Sequence, residues 1–83
     1  MKVRYFAWIK QTIGAGEEEV DPPSSVTTVG ELAAWLAGRT AKHGAAFQQA
    51  RVFGAAIDQK VVPLGTPLGG AREVAFFPPF TGG

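Results

Sequence analysis

The two most apolar strand patterns of the sequence lie near its two ends. Residues 2–10 alternate between an apolar face and a mixed face, which is the period of a β-strand. Residues 72–77 also fit a strand and are rich in aromatic side chains, and Pro78 and Pro79 end it because neither can donate a ladder hydrogen bond. We therefore expect the first and last strands to pair at the centre of one mixed sheet.

The middle of the chain predicts a helix that can cover this sheet. Thr28 and Glu31 form a capping-box pattern, in which each side chain bonds the backbone N–H of the other residue. The helix that they open has three apolar side chains on one face, Leu32, Trp35 and Leu36. Gly38 stands where a glycine commonly stops a helix. Residues 41–49 predict a weaker helix that Gly44 interrupts.

The remaining segments predict short strands and loops. Residues 51–58 and 60–62 fit strands, residues 63–70 fit a loop rich in proline and glycine, and Val20 fits a short edge strand before a proline pair. A chain of 83 residues holds one domain. The order of elements predicts an α+β fold with a ubiquitin-like arrangement, in which one main helix packs on a mixed sheet.

Composition argues against several classes of function. The net charge is +1 and the eight basic residues are scattered, so no basic stripe is available for nucleic acid. The absence of cysteine excludes disulfides, thiolate zinc sites and a cysteine nucleophile. No apolar run approaches the roughly 20 residues of a membrane span, and the alternating N-terminal segment does not fit a signal peptide. We expect a cytoplasmic protein without a nucleic-acid or membrane partner.

The polar residues do not suggest a metal site or a catalytic site. His43 is the single histidine and has no carboxylate at helical spacing, so we expect it to be solvated or to cap a helix. Glu17, Glu18 and Glu19 lack the alternation of a calcium-binding loop, so we expect a solvated loop there. The spacing of serines and threonines around the histidine supports no triad. We expect no metal and no enzyme activity from the isolated chain.

The last six residues form a segment of a different character. We expect a domain over residues 1–77 and an extended functional tail over residues 78–83, which can reach about 17 Å when extended. Its two prolines stiffen the root of the tail. Phe80 lies beyond them, outside any sheet, which favours contact with a partner. Gly82 and Gly83 lack a Cβ atom, so the backbone of another protein can approach them closely.

The chemistry that such a tail could carry resides in its terminal carboxylate. A carboxylate is a poor electrophile until an ATP-dependent partner converts it to an acyl adenylate, which then accepts a nucleophile such as sulfur. The competing interpretation is a frayed chain end without a function. The aromatic strand, the proline pair and the two terminal glycines together favour the working tail.

The same residues resemble a known family. The segment 72–83, REVAFFPPFTGG, resembles the ending of the small subunits of molybdopterin synthase, the MoaD branch of the MoaD/ThiS family of ubiquitin-like sulfur carriers. The similarity extends over nearly the whole chain through VRYFA at 3–7, TVGEL at 28–32 and AAIDQ at 55–59. It implies a β-grasp fold with a protruding C-terminal tail.

The sequence departs from the family pattern in two predicted turns. Asp58 stands where the family commonly has asparagine, and Ala71-Arg72 replaces a usual Gly-Asp pair. These departures concern the local geometry of the turns and leave the pattern of the tail intact.

The resemblance implies a sulfur carrier subunit of molybdopterin synthase. In the family, an E1-like adenylyltransferase of the MoeB type uses ATP to adenylate the terminal glycine, and a sulfurtransferase system converts it to a thiocarboxylate. The large subunit, of the MoaE type, then takes the tail into its active site. Sulfur passes there to cyclic pyranopterin monophosphate and forms the dithiolene of molybdopterin. The chain itself is expected to bind no cofactor, since the ATP is used by its activating partner.

Position by position, the resemblance also implies site residues. Gly83 bears the adenylate and then the thiocarboxylate, and Gly82 precedes it in the channel of the partner. The arm inserted into the large subunit comprises Pro78, Pro79, Phe80 and Thr81. The apolar docking surface includes Phe6, Val61 and Phe77.

Two other functions remain open from the sequence. One is a ubiquitin-like modifier or interaction domain, whose tail is conjugated to proteins or merely docks. The other is a carrier of the thiamine pathway, although such chains tend to be shorter and to lack the AFFPP stretch.

Overall fold

A computed structural model describes residues 1–49 and 53–78 of the chain. Within them, five strands and three helices follow one another along the sequence. They are β1 (Lys2–Tyr5), α1 (Ala7–Ile13), β2 (Glu17–Glu19), α2 (Val29–Ala37), α3 (Ala41–Gln49), β3 (Gly54–Ile57), β4 (Lys60–Val62) and β5 (Glu73–Phe77). The predicted arm residues Pro79, Phe80 and Thr81 and the terminal Gly82 and Gly83 lie outside the described residues.

The strands form one mixed sheet in the order β2-β1-β5-β3-β4. The two central strands, β1 and β5, run parallel, and every other neighbouring pair is antiparallel. Two parallel neighbours must be joined by a crossover, and here the crossover contains all three helices. The prediction that the first and last strands pair at the centre of a mixed sheet is therefore confirmed.

The first strand is shorter than predicted, because a helix replaces the second half of the alternating segment. β1 ends at Tyr5, which lies opposite Phe76. Two residues further along, a continuing strand would face Pro78, which has no N–H for the ladder. Ala7 instead takes a positive φ of 52° and opens α1. The prediction of one strand over residues 2–10 is wrong.

The new helix has its own sequence signal. Ile9 and Ile13 are four residues apart, and α1 buries both of them in the core. Gly14 ends the helix in the left-handed conformation, at φ 89°, and its N–H donates to the carbonyl of Lys10. The alternation of residues 2–10 thus concealed an equally good helical spacing.

The main helix α2 begins as the sequence predicts. The backbone N–H of Glu31 donates to Thr28 Oγ1 at 3.1 Å, and the N–H of Thr28 donates to Glu31 Oε1 at the same distance. Thr27 also donates its backbone N–H and its hydroxyl to that carboxylate, and these hydrogen bonds lower the pKa of Glu31. Gly38 caps the end of α2 as predicted, with a right-handed φ of −85°.

The capping box provides a first test of the fold. We expect Thr28→Ala to lower the free energy of unfolding by about 1 kcal/mol, because the amide of Glu31 loses its side-chain acceptor. Thr28→Ser retains the oxygen and should stay close to the wild type. Urea denaturation of the three proteins measures the difference, and equal stability of Thr28→Ala and the wild type would contradict the role assigned to the cap.

The third helix is continuous from Ala41 to Gln49, so the predicted interruption at Gly44 is wrong. A Cβ atom on Gly44 would lie 3.1 Å from the carbonyl oxygen of Ala37, at the end of α2. The glycine therefore allows the two helices to approach each other closely. Its role is close packing of helix against helix, and its cost in helix propensity does not break α3.

One core joins the helices to one face of the sheet. The fully buried residues that anchor it come from β1, β3, β5 and all three helices, among them Val3, Tyr5, Ile9, Leu32, Leu36, Ala46, Ala55, Val74 and Phe76. Trp35, predicted on the same stripe as Leu32 and Leu36, is partly buried against this core. The ring of Phe47 meets that of Phe76 edge to face, with centroids 5.3 Å apart.

The edge strand β2 consists of the three glutamates that were expected in a loop. It pairs with β1, with Lys2 opposite Glu19 and Arg4 opposite Glu17. Val20 follows β2 directly and is buried. An edge strand is present as predicted, but it ends at Glu19 and does not include Val20. The predicted solvated loop is wrong because pairing with β1 outweighs the low strand propensity of glutamate.

None of the helices in the described part of the chain is long and apolar enough to cross a membrane.

Candidate functional site

The predicted docking residues lie on the face of the sheet opposite the core. One row across the five strands joins Glu17, Arg4, Ala75, Ala56 and Val61 through direct pairing. Residues that pair directly across strands project from the same face. This face, which we call the open face, faces away from the helices of the described residues.

The structure brings all three docking residues to this open face or its margin. Phe77 is two residues beyond Ala75 on β5, so it projects from the same side. Val61 ends the row and is 73% exposed. Phe6 follows β1, is 40% exposed, and lies beneath the guanidinium of Arg4, which is 5.2 Å from the ring centroid.

Small residues form the floor between these apolar side chains. Ala56 and Ala75 are paired with each other and are both buried, although they do not belong to the core shared with the helices. The apolar area that a partner can cover is that of the larger side chains beside this floor, Phe6 and Val61, which are both exposed. The arrangement suits a docking surface.

Charged residues lie at the other end of the open face. Lys2 Nζ lies 3.7 Å from Glu17 Oε2, and Arg4 Nη1 lies 3.9 Å from Glu73 Oε2. Such exposed pairs contribute little to stability, about 0–1 kcal/mol. Their value to an interface is orientation, because a polar rim beside an apolar centre fixes how a partner docks.

Pro78 is the one predicted arm residue that the structure describes. It follows β5 directly and is half-buried. The central strand of the sheet therefore leads into the arm with no intervening loop. Whatever lies beyond Pro78 starts next to the apolar end of the open face, beside Phe77.

A partly buried polar cluster occupies the opposite side of the molecule from this face. The Tyr5 hydroxyl donates to Glu18 Oε2 at 2.7 Å, and His43 Nε2 lies 2.8 Å from the same oxygen. Thr40 Oγ1 lies 2.7 Å from His43 Nδ1 and also accepts the backbone N–H of His43. We call these four residues, Tyr5, Glu18, His43 and Thr40, the polar cluster.

The polar cluster corrects the predictions for His43 and Glu18. His43 is 5% exposed, so it is neither solvated nor a helix cap; Thr40 is the residue whose side chain caps α3. Glu18 points inward from an edge strand and joins β2 to α3. Sequence spacing could not reveal this contact, because the two residues are 25 positions apart.

The environment shifts two pKa values in opposite directions. Burial raises the pKa of Tyr5 far above its usual range, and the hydrogen bond to Glu18 adds to the shift. Burial alone would raise the pKa of Glu18 as well. Hydrogen bonds with His43 and Tyr5, together with the positive charge of Arg39, outweigh that effect, and the pKa of Glu18 lies below its usual 4.5.

The polar cluster is structural in character. A hydroxyl, an imidazole and a carboxylate that are linked in a row by hydrogen bonds can activate the hydroxyl as a nucleophile. Here the Thr40 oxygen already caps α3, and the imidazole is buried with both nitrogens engaged. A substrate has no access to the imidazole, so the cluster serves to fix the edge strand to the helix layer.

The lowered pKa of Glu18 predicts a pH dependence of stability. A carboxylate whose folded pKa is depressed stabilises the fold above its unfolded pKa, near 4.5, and this contribution is lost as the pH falls through the folded value. We expect Glu18→Gln to flatten the loss of unfolding free energy below pH 4.5 relative to the wild type. Urea unfolding at pH values above and below 4.5 measures the free energy of unfolding of both proteins. The same pH dependence for Glu18→Gln and the wild type would contradict the lowered pKa of Glu18.

No set of three or more histidine, aspartate or glutamate side chains within residues 1–49 and 53–78 is arranged to hold a metal ion.

Comparison with known proteins identifies the family. The model of the ThiS family matches residues 3–83, which is almost the entire chain. The chain belongs to the ThiS family. It is also 34% identical, over 83 residues, to the molybdopterin synthase sulfur carrier subunit of Escherichia coli strain K12, and the match covers 100% of this chain and 99% of that protein.

Solved structures of similar proteins have the same fold as this ThiS-family chain. SAMP1 from Haloferax volcanii superposes with a TM-score of 0.74 at 26% identity, covering 100% of this chain and 98% of that one. A protein assigned as molybdopterin converting factor subunit 1 from Pyrococcus furiosus superposes with a TM-score of 0.71 at 25% identity, covering 94% of each chain. The predicted ubiquitin-like β-grasp fold is thereby confirmed.

Proposed function

We propose that this ThiS-family chain is the sulfur carrier subunit of a molybdopterin synthase, and that the carboxylate of Gly83 carries the sulfur. The main support is the match to the Escherichia coli sulfur carrier subunit, which extends over the full length of the chain. The family match also runs as far as Gly83, so it includes the terminal Gly-Gly. The likeness to the Pyrococcus furiosus converting factor is consistent with the same role.

The proposed chemistry begins with activation of the tail by an E1-like adenylyltransferase. A carboxylate oxygen of Gly83 attacks the α-phosphorus of ATP, pyrophosphate leaves, and an acyl adenylate forms. The terminal sulfur of a sulfurtransferase persulfide then attacks the carbonyl carbon and displaces AMP, which gives an acyl disulfide. A thiol reductant cleaves its S–S bond and leaves a thiocarboxylate on Gly83. The ATP belongs to the activating partner, and this chain supplies the acyl group.

The second half of the proposal concerns the large subunit of the synthase. In the active site of that subunit, the thiocarboxylate sulfur forms a C–S bond to a side-chain carbon of cyclic pyranopterin monophosphate. One C–O bond of that carbon breaks, and its oxygen leaves as water or stays on the opened phosphate ester. Water then cleaves the acyl–sulfur bond and returns the Gly83 carboxylate. A dithiolene contains two sulfur atoms, so each product consumes the sulfur of two carriers. The chain alone is therefore no enzyme but the sulfur-donating part of a complex.

The geometry of the sheet supports this division of labour. Phe6, Val61 and Phe77 lie on or beside the open face, and β5 leads directly into the arm at Pro78. Docking of that face would bring the root of the arm to the surface of the partner. From Pro78 to Gly83 the chain can extend about 17 Å, enough to enter a pocket there.

A reconstituted reaction tests the proposed function. The chain is loaded with sulfur by the activating enzyme, ATP, a sulfurtransferase, a sulfur donor and a thiol reductant, and is then mixed with the large subunit and cyclic pyranopterin monophosphate. We expect one dithiolene-containing pterin for every two loaded chains, measured by chromatography of the pterin product. Loaded chains that dock and yield no dithiolene would contradict the proposal.

A second candidate function rests on the structural likeness to SAMP1, which is also described as small archaeal modifier protein 1. A modifier would form an isopeptide bond between Gly83 and the amino group of a lysine on a target protein. Mass spectrometry of tryptic digests from cells that express the chain would detect such adducts. Abundant adducts together with absent dithiolene formation would favour the modifier over the sulfur carrier.

A further inference from the structure

Gly54 has no side chain at a position where any side chain would collide with Phe77. The two residues are directly paired between β3 and β5. A Cβ atom on Gly54 would overlap the Phe77 ring at Cε2, Cζ and Cδ2. Gly54 is not among the residues with a positive φ, so the backbone does not require glycine there. What the glycine supplies is space for the ring.

The ring of Phe77 therefore lies over the bare backbone of β3. Phe77 projects from the open face, on the side of the sheet away from the core that the helices share. Phe77 is half-buried, which agrees with a ring that packs over Gly54. The ring thus lies across the neighbouring strand β3, next to the start of the arm at Pro78.

We propose that Gly54 is a positioning residue for the docking surface, and that it acts by seating the Phe77 ring in the orientation that the large subunit of the synthase binds. The inference rests on the proposed function and adds to it a residue of β3 that need not touch the partner. An aromatic residue fixed in one orientation before docking loses little side-chain entropy on binding. Buried aromatic anchors also carry a disproportionate share of interface energy.

The clash has a defined consequence. The ring atoms that would meet the new Cβ are the far end of a side chain, so Gly54→Ala should rotate Phe77 off its seat and leave the strands paired. Gly65→Ala is the matched control, because a Cβ there meets nothing within 4 Å. Both variants are expected to melt cooperatively, close to the wild type.

Binding and turnover separate positioning from a structural role. We expect Gly54→Ala, loaded with thiocarboxylate, to bind the large subunit about tenfold more weakly, the loss of one well-placed anchor contact. The concentration of carrier that half-saturates dithiolene formation should rise by the same factor, while the rate at saturation stays unchanged. Gly65→Ala should match the wild type in both quantities.

A double-mutant cycle assigns the effect to the ring. In a Phe77→Ala background the clash is gone, so adding Gly54→Ala should change binding by less than about twofold. In the wild type, NMR should show contacts between the Gly54 α-protons and the Phe77 ring protons, and in Gly54→Ala the ring protons should shift while the core signals do not.

Three outcomes would overturn the inference. The first is wild-type affinity for Gly54→Ala, the second is an effect of equal size in the Phe77→Ala background, and the third is an absent contact between Gly54 and the ring in the wild type. If the wild-type chain itself fails to bind the large subunit, the proposed function is contradicted and the docking role of Gly54 with it. A working wild type beside an unaffected variant contradicts the inference alone.

Discussion

Deleting Gly83 is expected to abolish sulfur loading while leaving the fold intact. The deletion moves the terminal carboxylate back by one residue, so it cannot reach the site where the activating enzyme brings ATP to the tail. A glycine at the end of a chain buries almost no apolar surface, so the thermal midpoint should change by less than about 1 °C. Intact-mass measurement after incubation with the activating enzyme, ATP and a sulfur source gives the first result, and a thermal melt gives the second.

Extending the chain provides the matched control for this deletion. One alanine added after Gly83 keeps every native residue but removes the free carboxylate from it. We expect no sulfur loading of the extended chain, and full loading after a protease trims it back to Gly83. Sulfur transfer by an extended chain that has not been trimmed would overturn the role of the Gly83 carboxylate.

Among single substitutions in the edge strand β2, Glu18→Ala is expected to lower the free energy of unfolding most. Glu18 accepts hydrogen bonds from the buried Tyr5 hydroxyl and from His43. Without it, both groups lose a charged partner in an environment that water reaches poorly. We expect the free energy of unfolding to fall by about 3 kcal/mol, a large share of the total for a domain of this size.

The neighbours of Glu18 on β2 offer the control for this experiment. Glu17 is an exposed partner of Lys2, at 3.7 Å. Glu17→Ala removes the same carboxylate from the same strand, and its effect should stay below about 0.5 kcal/mol. Urea denaturation of both variants measures the contrast. If Glu17→Ala and Glu18→Ala lower the free energy of unfolding equally, the hydrogen bonds of the polar cluster contribute nothing beyond the negative charge that any glutamate on β2 supplies.

Local sequence signals predicted the parts of the fold that depend on neighbouring residues. The capping box of α2 requires only Thr28 and Glu31, and both of its hydrogen bonds are present. The central pairing of β1 with β5 followed from the apolar character of these strands and is also present. Phe77 and Val61, which the resemblance names as docking residues, lie on one face because the alternation of β5 and the register with β3 and β4 place them there.

Contacts between distant residues account for the errors. Residues 7–10 continue the strand alternation of residues 2–10, yet they lie in α1. A strand extended through Ala7 would have faced Pro78, which has no N–H for the ladder, and that position is distant in sequence. His43 had no carboxylate nearby in sequence, yet Glu18 meets it across the fold. Nothing in the sequence around Gly54 indicates its role, and only the register with β5 shows that the Phe77 ring occupies its space.

The intact mass of the chain after sulfur loading tests the central proposal most directly. The wild-type chain is incubated with the activating enzyme, ATP, the sulfurtransferase, a sulfur donor and a thiol reductant, beside a reference sulfur carrier treated in the same mixture. We predict a mass increase that corresponds to exchange of one oxygen for sulfur, located at Gly83 by fragmentation of the C-terminal peptide. An unchanged mass, in a mixture that loads the reference carrier, would contradict the proposal.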